Sequence, residues 1–495
     1  MTTVERTSRS VAWAGLEIVS LFLLSFVTLI LLARLLGPAE FGLAALALVT
    51  VQFLTMIVRG VFIDAIVQRE RLEAAHLDSA FWAGLLAAAA FIGLCIWGAP
   101  WLGRVFGEPA LAGVLAWTSL SLVFSGVDGV PMAILRRDLR MKELALRSFF
   151  GRLAGAVVGI GMALADYGVW ALVGQQIAME AGAALAAYWF TGWRPAGWVS
   201  RPHLTELGRF AVPWLGGELL MYGNQRFFSL LVGYLYGATT LGYINVGFRT
   251  VATIGQVLEV AAHQITLPIF ARLQNDAAAL RAAFDKAAAI ASFLVLPAFT
   301  GLVVCADTVV PALLGPAWGP SIPFIQLMGI ATFLQFLLCL PLAVYSAVGR
   351  PVWRLWRGGV DLTVTTVGLV AFPGLGPIWA GVVWAGRFLF LVPFNYFGMG
   401  RLIGLRLGGH LRALAPPALA SALMAVALLL TERQLPPAWS AVEALVLLIP
   451  VAIVVYLAVF ALIARAELRE YLDYARMALT PAGRRRRQEQ PSDAT

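Results

Sequence analysis

The fold is decided by a short segment that occurs twice, as LLGPAEFG over Leu35–Gly42 and as LYGATTLG over Leu235–Gly242. Each copy joins two long apolar runs, and the glycines match at an offset of 200 residues (235 minus 35). Just upstream, Gly15-Leu16-Glu17 resembles Gly216-Gly217-Glu218 with a shift of one residue. Glycine-rich loops between helices also resemble one another by chance, but the matched glycines and the paired acid favour an internal duplication.

The composition is that of a membrane protein. Hydrophobic residues make up 60% of the 495 positions and charged residues 13%, which excludes an ordinary soluble domain. A helix needs about 20 predominantly apolar residues to cross a bilayer. The chain is therefore predicted to be an all-α polytopic membrane protein with 14 transmembrane helices. The predicted spans are 11–33, 41–66, 79–99, 110–134, 145–165, 168–190, 210–234, 239–266, 287–307, 321–346, 352–373, 376–398, 411–431 and 440–464.

The positive charges predict how the chain threads the membrane. Most of the 36 Lys and Arg residues lie in every second gap between the apolar runs, and the alternate gaps hold only Arg34, Arg104 and Arg433. By the positive-inside rule, the Arg-rich gaps and both termini are predicted to be cytoplasmic. The apolar run after Arg6 and Arg9 is too long for a signal peptide, so it is interpreted as the first span. The net charge of +9 is mainly this orientation signal and does not indicate nucleic-acid binding.

The duplication predicts the organisation of the chain. Six spans, an even number, separate the two copies, so the halves have the same orientation and form a parallel repeat. We predict an N-terminal lobe over residues 1–200 (spans 1–6) and a C-terminal lobe over 201–405 (spans 7–12). Residues 406–495 would then carry spans 13 and 14 and a basic cytoplasmic tail.

The sequence carries no motif of a metalloprotein or an enzyme. The cysteines, which lie in apolar runs without metal or redox spacing, are Cys95, Cys305 and Cys339. The histidines, which are scattered along the chain and predict no ligand cluster, are His76, His203, His263 and His410. A glycine-rich phosphate loop is also missing, so neither a cofactor nor a metal is expected.

Polar stripes on four spans indicate where a substrate would bind. In span eight the stripe consists of Asn245, Arg249, Thr253, Gln256, Glu259 and His263. These residues recur at steps of three and four, so they share one face of a helix. Span seven adds Glu218, Tyr222, Gln225 and Arg226, span two adds Gln52, Thr55 and Arg59, and span one adds Glu17. Because these are the first two spans of each half, they would face one another across a central cavity.

Buried arginine in such a cavity favours an anionic substrate. A guanidinium group stays charged and binds phosphate oxygens in pairs. We predict that Arg59, Arg226 and Arg249 hold a diphosphate headgroup, with Asn245, Gln256 and Tyr222 contacting phosphate or sugar. Glu17, Glu218 and Glu259 are candidates for binding a coupling ion. The competing interpretation is that the arginines pair internally, for example Arg226 with Glu218 or Arg249 with Glu259.

The other buried charges have a structural interpretation. An ionisable group within a membrane normally faces a wet cavity or a partner. Asp361 is predicted to pair with Arg387, and the cytoplasmic ends of spans four and five are predicted to be tied by Asp128, Arg147 and Arg152. Gln176 and Glu180 share a face of span six and are a further place for a proton or cation.

Two stretches of the chain resemble a known group of transporters. Leu32–Gly42 is similar to the opening signature of the polysaccharide-transporter family in the multidrug/oligosaccharidyl-lipid/polysaccharide (MOP) exporter superfamily. The stretches 134–148 and Gly168–Val173 resemble the same branch. The resemblance implies a MOP/MATE-like fold of two six-helix lobes with two extra helices. Relatives often carry a basic residue in span one, where this chain has Glu17.

The resemblance also implies a function. It predicts an oligosaccharide flippase, not an enzyme, that moves undecaprenyl-diphosphate-linked repeat units of O-antigen or exopolysaccharide across the bacterial inner membrane. Alternating access would be driven by a cation gradient, and a polysaccharide polymerase and a chain-length regulator are candidate partners. A multidrug cation antiporter of the same fold would require an acidic cavity. A membrane glycan polymerase or transferase would require long extracytoplasmic loops with catalytic acids, and a scaffold would not require polar stripes.

Overall fold

A computed structural model shows that the chain is built from helices. The structure describes residues 21–69, 71–252, 255, 270, 273, 276–347, 352–405, 407–436 and 438–479. Only the backbone is described at 61, 210–214, 216–222, 336–343, 345–347, 352–355, 407 and 474–479. No strand occurs within these ranges, which confirms the predicted all-α class.

The helices follow the predicted spans closely. Those before the middle of the chain are α1 (Leu21–Leu35), α2 (Pro38–Gln68), α3 (Ala74–Val105), α4 (Leu111–Ser119), α5 (Ser121–Arg137), α6 (Met141–Leu164), α7 (Trp170–Thr191), α8 (Arg201–Tyr236) and α9 (238–252). Those after it are α10 (Ala277–Val304), α11 (Ala306–Leu313), α12 (Ile322–Ala347), α13 (Val352–Ala371), α14 (Ile378–Gly386), α15 (Phe388–Ile403), α16 (Leu407–Gln434), α17 (Ala441–Ile463) and α18 (Arg465–Leu479). Short 3-10 helices occur at Pro316–Ser321 and Pro373–Leu375.

The length and surface of these helices suit a bilayer. Each predicted span overlaps at least one described helix. Among the described residues, nine helical stretches are long and apolar enough to cross a membrane, whereas the full number of 14 stays a prediction. Large apolar side chains such as Leu86, Val157, Val446 and Leu462 lie exposed on these helices. An apolar surface of this extent is typical of contact with lipid.

The described helices belong to two compact units. The first contains Met1–Val257, Leu313–Met328 and Val352–Leu391. The second contains Leu258–Ala312, Gly329–Pro351 and Val392–Thr495. In the first unit α8 packs against α2, α3 and α13, and in the second α16 packs against α10 and α17. The predicted lobes, 1–200 and 201–405, stay a prediction from the repeat.

Both copies of the repeated segment form tight turns between helices. In the first, the chain breaks at Gly37, and Pro38 stands in the first turn of α2, where its missing N–H costs nothing. The Gly37 N–H donates to the Glu40 carboxylate at 2.6 Å. In the second, α8 ends at Gly237 with φ of 85°, a conformation that favours glycine. The same sequence pattern therefore stops one helix and starts the next at both places.

Small residues let α6 and α7 pack with their backbones close together. Gly151, Gly155 and Gly159 follow one face of α6 at four-residue steps. A Cβ atom added at Gly151 would lie 2.8 Å from the carbonyl oxygen of Met179, and one added at Gly155 would lie 2.9 Å from that of Gln175. Close approach through small residues is a common way for membrane helices to associate. This contact fixes α7, which carries Glu180, against its neighbours.

Candidate functional site

Arg59 lies in a buried ion-pair network in the first unit. Its terminal nitrogen Nη2 is 2.5 Å from Oε2 of Glu180 on α7 and 3.3 Å from Oδ2 of Asp128 on α5. The side chain of Asp128 is 0% exposed, and that of Arg59 is 21% exposed. The Arg59 Nε is buried and makes no hydrogen bond within the described part of the chain. Arg59 therefore joins α2 to α5 and α7 and keeps one donor unused.

A second arginine completes the network. Arg147 on α6 donates from Nε to Oδ1 of Asp128 at 2.9 Å and from Nη2 to Oδ2 of the same carboxylate. The amide of Gln176 and the hydroxyl of Ser125 each donate to Glu180 at 3.4 Å. Two arginines thus meet two carboxylates, and their formal charges cancel. Mutual neutralisation of this kind is what allows charged groups to be buried.

The network settles several sequence-based predictions. The predicted tie between Asp128 and Arg147 is confirmed. Arg152 instead donates to the Ser25 hydroxyl at 2.6 Å and to the Leu21 carbonyl at 3.2 Å, so it joins α6 to α1. The role of Glu180 as a partner of Arg59 was not foreseen. Helical phase places Glu180 on a polar face with Gln176, but the phase of one helix does not identify the helix opposite it.

The pairing of Asp361 with Arg387 is confirmed. Arg387 Nε lies 3.1 Å from Oδ1 of Asp361, although the two atoms are not aligned as a hydrogen bond. The Arg387 guanidinium also lies 3.2 Å from the centre of the Trp384 ring, a cation–π contact. The ion pair joins α13 to the break between α14 and α15.

Arg226 and Arg249 form a different kind of cluster. They come from α8 and α9, and both are half-buried. The positive charge of Arg226 acts electrostatically on Arg249. Among the described side chains, no carboxylate forms an ion pair with Arg226. Asn245 is half-buried one turn before Arg249 on α9.

Aromatic residues fix α8 and α9 in this arrangement. Phe228 is fully buried, and its ring centre lies 5.8 Å from that of Phe248 and 4.6 Å from that of Trp384. Phe248 and Trp384 are also in contact, with ring centres 4.8 Å apart. Each helix therefore presents an aromatic anchor within two residues of its arginine. Rigid packing of this kind fixes the rotation of both helices.

Two buried polar atoms on α8 and α9 lack a hydrogen-bond partner among the described residues. Asn224 Oδ1 and Thr250 Oγ1 are buried, and neither makes a hydrogen bond within the described residues. Each is within two residues of one arginine along its helix. Buried polar atoms in native proteins nearly always have a partner, which can be water or a ligand.

Several predicted site residues lie outside the described part of the chain. They are Glu17, Gln256 and Glu259, together with the side chains of Glu218 and Tyr222. Near these residues, a Cβ atom added at Gly223 would lie 3.8 Å from the Phe53 ring, which is an ordinary contact. The internal pairings of Arg226 with Glu218 and Arg249 with Glu259 involve side chains from this group.

The expectation that the histidines form no cluster is wrong for two of them. The rings of His76 on α3 and His203 on α8 are in edge-to-face contact, with centres 4.4 Å apart. His76 Nε2 lies 3.1 Å from Glu206 Oε2, and His203 Nε2 lies 3.3 Å from Glu73 Oε2. The hydrogen bond from His76 is the main cause that lowers the pKa of Glu206, and the charge of Arg69 adds to it. The two histidines are distant in sequence, so only the packing of α3 against α8 brings them together.

The apolar helices and their exposed apolar surface define a multi-pass membrane protein, and its fold is similar to that of solved transporters. The solved lipid II flippase MurJ, in an inward closed conformation, is similar over 92% of this chain and 100% of its own, with a TM-score of 0.79 and 14% identity. An inward-facing multidrug resistance MATE transporter of the MOP superfamily is similar over 77% of this chain and 95% of its own, with a TM-score of 0.60 and 14% identity. At this identity the likeness concerns the fold alone.

The sequence comparison is more specific. Residues 31–323 match the polysaccharide biosynthesis protein family, and the chain belongs to that family. It is 26% identical to the succinoglycan biosynthesis transport protein ExoT of Rhizobium meliloti (strain 1021), over 76% of each chain. It is 23% identical to the lipopolysaccharide biosynthesis protein WzxC of Escherichia coli (strain K12), over 72% of this chain and 70% of that one. The predicted membership in the polysaccharide-transporter branch is confirmed.

Proposed function

We propose that the protein is a flippase that moves undecaprenyl-diphosphate-linked oligosaccharide repeat units, for O-antigen or exopolysaccharide, across the bacterial inner membrane. The observation that carries this proposal is that Arg226 and Arg249 are both half-buried in the first unit, where the positive charge of Arg226 acts on Arg249. Its relatives are named for succinoglycan transport and lipopolysaccharide biosynthesis. A lipid-linked diphosphate is the anionic part that substrates of this kind would share.

The chemistry of the pair suits a diphosphate. Guanidinium groups donate two parallel hydrogen bonds to phosphate oxygens and stay charged at any physiological pH. A dianionic headgroup near both guanidinium groups would be attracted by both positive charges. We propose further contacts for Asn245, Gln256 and Tyr222, which would contact phosphate or sugar.

Arg59 would take part in a second way. It already binds Glu180 and Asp128, so a phosphate group could reach it only in competition with these carboxylates. Its Nε makes no hydrogen bond within the described residues, and a substrate oxygen could accept from this buried donor only after a movement that uncovers it. We therefore place the main phosphate contacts at Arg226 and Arg249 and give Arg59 a supporting contact.

The remaining features of the proposal concern transport as a whole. The lobes 1–200 and 201–405 would rock about the bound headgroup, with both termini in the cytoplasm. A cation gradient would drive the cycle, with Glu17, Glu218 and Glu259 as candidate ion-binding residues. A polymerase and a chain-length regulator of the same polysaccharide would act on the flipped product. A multidrug cation antiporter is disfavoured because a cationic drug would be repelled by Arg226 and Arg249.

The proposal is tested by deleting the gene in its native host and following the lipid-linked repeat units. Loss of the protein should make these units accumulate on the cytoplasmic face and should abolish surface polysaccharide. The wild-type gene should restore export, whereas a variant with Arg226→Gln and Arg249→Gln should not. Loss of charge-assisted hydrogen bonds worth about 1.5–3 kcal/mol each corresponds to at least a tenfold reduction in export.

Arg71→Gln is the matched control, because Arg71 is an exposed arginine between α2 and α3. This variant should export normally. All variants must reach wild-type levels in the membrane fraction. Normal export by the correctly inserted Arg226→Gln and Arg249→Gln double variant would overturn the proposal.

A further inference from the structure

Four side chains that can bind a metal ion meet where α3 and α8 begin. Glu73 precedes α3 and His76 stands in its first turn, while His203 and Glu206 stand in the first turns of α8. The pattern is Glu-x-x-His across the start of α3 and His-x-x-Glu within α8. Residues three apart share one face of a helix. The contact between α3 and α8 therefore brings two imidazoles and two carboxylates together, apart from the arginines that we assign to the substrate.

The distances within this cluster fit a chelate. Potential ligand atoms of Glu73, His76 and His203 all lie within 4.8 Å of one another. His203 Nε2 and Glu73 Oε2 are 3.3 Å apart. In a tetrahedral site with bonds of about 2.0–2.1 Å, two ligand atoms are separated by about 3.4 Å. One pair is therefore already at the separation that a shared ion requires, and His76 needs only a small movement to join it.

Neighbouring groups orient the two imidazole rings. His203 Nδ1 is hydrogen-bonded to the Ser200 hydroxyl at 2.6 Å, which leaves Nε2 directed at Glu73. His76 Nε2 donates to Glu206, a carboxylate that also binds Arg69. His76 Nδ1 accepts the Glu73 backbone N–H at 3.2 Å, a long bond that an ion at this nitrogen would replace. Polar groups that hold ligating histidines in this way are typical of metal centres.

The cluster is accessible from one side. The His76 side chain is 2% exposed, whereas that of Glu73 is 68% exposed. An ion could therefore enter past Glu73 and reach the buried imidazole. The predicted threading puts this end of α3 and α8 on the cytoplasmic side.

We infer that Glu73, His76 and His203 bind a divalent transition-metal ion such as Zn²⁺, with Glu206 orienting His76. Two imidazole nitrogens with one carboxylate suit zinc, cobalt or nickel, whereas magnesium and calcium prefer oxygen ligands. The bound ion would join the start of α3, in the first half of the repeat, to the start of α8, which opens the second half. This inference is independent of the proposed substrate.

Metal binding can be measured on the full-length protein, purified without a histidine tag and stripped with a chelator. Co²⁺ is the spectroscopic probe and Zn²⁺ the calorimetric one. We expect one ion per chain, visible absorption bands of tetrahedral Co²⁺, displacement of Co²⁺ by Zn²⁺, and no effect of Mg²⁺. His203→Gln and, separately, Glu73→Gln should weaken Zn²⁺ binding at least tenfold. Zn²⁺ should raise the unfolding temperature of the wild-type protein and not that of His203→Gln.

The chain offers a matched control in the second unit. His410 Nδ1 lies 2.7 Å from Asp285 Oδ1, an imidazole–carboxylate pair that has no third ligand within the described part of the chain. His410→Gln should therefore leave Zn²⁺ binding unchanged. Glu73 is exposed, so its variant tests the site even if His203→Gln does not fold. Failure of the wild-type protein to bind Co²⁺ or Zn²⁺, or equal binding by wild type and Glu73→Gln, would overturn the inference and leave a hydrogen-bonded contact between the two helices.

Discussion

Gly42 and Gly242 contact each other through their backbones in the first turns of α2 and α9. A Cβ atom added to Gly242 would lie 2.9 Å from Gly42 N and 2.3 Å from the Pro38 carbonyl oxygen. One added to Gly42 would lie 1.9 Å from the Ala238 carbonyl oxygen. Pro38 and Ala238 are equivalent positions in the two copies of the repeated segment, as are Gly42 and Gly242. The contact is therefore nearly symmetrical, as the duplication predicts.

Replacing either glycine should separate the two helices. In Gly242→Ala, the added methyl group overlaps backbone atoms, which cannot rotate away as a side chain could. Overpacking of this kind costs about 1–3 kcal/mol, so the unfolding temperature in detergent should fall, and Gly42→Ala should behave alike. Gly93→Ala in α3 is the control, because no atom lies within 4 Å of the added Cβ. Unchanged stability in Gly242→Ala would contradict the close backbone contact.

The network around Asp128 should behave as a unit. Asp128→Asn leaves Arg59 and Arg147 without a shared carboxylate, and breaking a buried pair costs about 3–5 kcal/mol. The double variant Arg59→Gln with Glu180→Gln removes one charge of each sign. Its loss of unfolding free energy should be smaller than the sum of the losses in the two single variants. A double-mutant cycle on unfolding free energies measures the difference.

The control for this buried network is an exposed ion pair, Lys286 with Glu470, in which Nζ lies 2.5 Å from Oε1. Lys286→Gln should change stability by less than about 1 kcal/mol, because water screens an exposed pair. Additive effects of Arg59→Gln and Glu180→Gln would show that the two side chains do not interact.

Trp318 joins the 3-10 helix Pro316–Ser321 to the end of α1. Its ring is fully buried, its Nε1 donates to the Ala33 carbonyl at 2.8 Å, and it meets Phe41 edge-to-face with centres 5.2 Å apart. Trp318→Phe should lose about 1–3 kcal/mol because the Ala33 carbonyl loses its donor, and Trp318→Ala about 3–5 kcal/mol because a cavity forms. Trp189→Phe, at a ring that is 86% exposed, is the control for thermal unfolding. Equal stability of Trp318→Phe and wild type would show that the hydrogen bond contributes nothing.

Sequence alone predicted the helices and the local ion pairs better than the long-range contacts. Each long apolar run predicted a span, and each predicted span overlaps a helix in the structure. The prediction works because the bilayer imposes a minimum length on every helix that crosses it. Asp361 and Arg387 were predicted as a pair because they lie on consecutive spans. Arg59 and Glu180 lie on spans separated by three others, and the pattern of one helix does not show which helix faces it. The cluster of His76 with His203 was missed for the same reason.

The candidate substrate site was predicted only in part. Helical phase predicted a polar face on spans seven and eight, which stays a prediction, and in the structure the positive charge of Arg226 acts on Arg249. The phase did not distinguish these two from Arg59, which has carboxylate partners. That distinction depends on the side chains of α5 and α7, which the packing of the whole unit positions.

Geometry as well as charge at Arg226 should matter for export. Arg226→Lys keeps the positive charge but loses the planar pair of donors that binds two phosphate oxygens at once. Export of lipid-linked repeat units should therefore fall in the order wild type, Arg226→Lys, Arg226→Gln. Initial rates of export at matched membrane levels measure this order. Equal export rates for Arg226→Lys and wild type would mean that position 226 supplies charge only. Equal export rates for Arg226→Lys and Arg226→Gln would mean that the paired hydrogen bonds to the headgroup dominate.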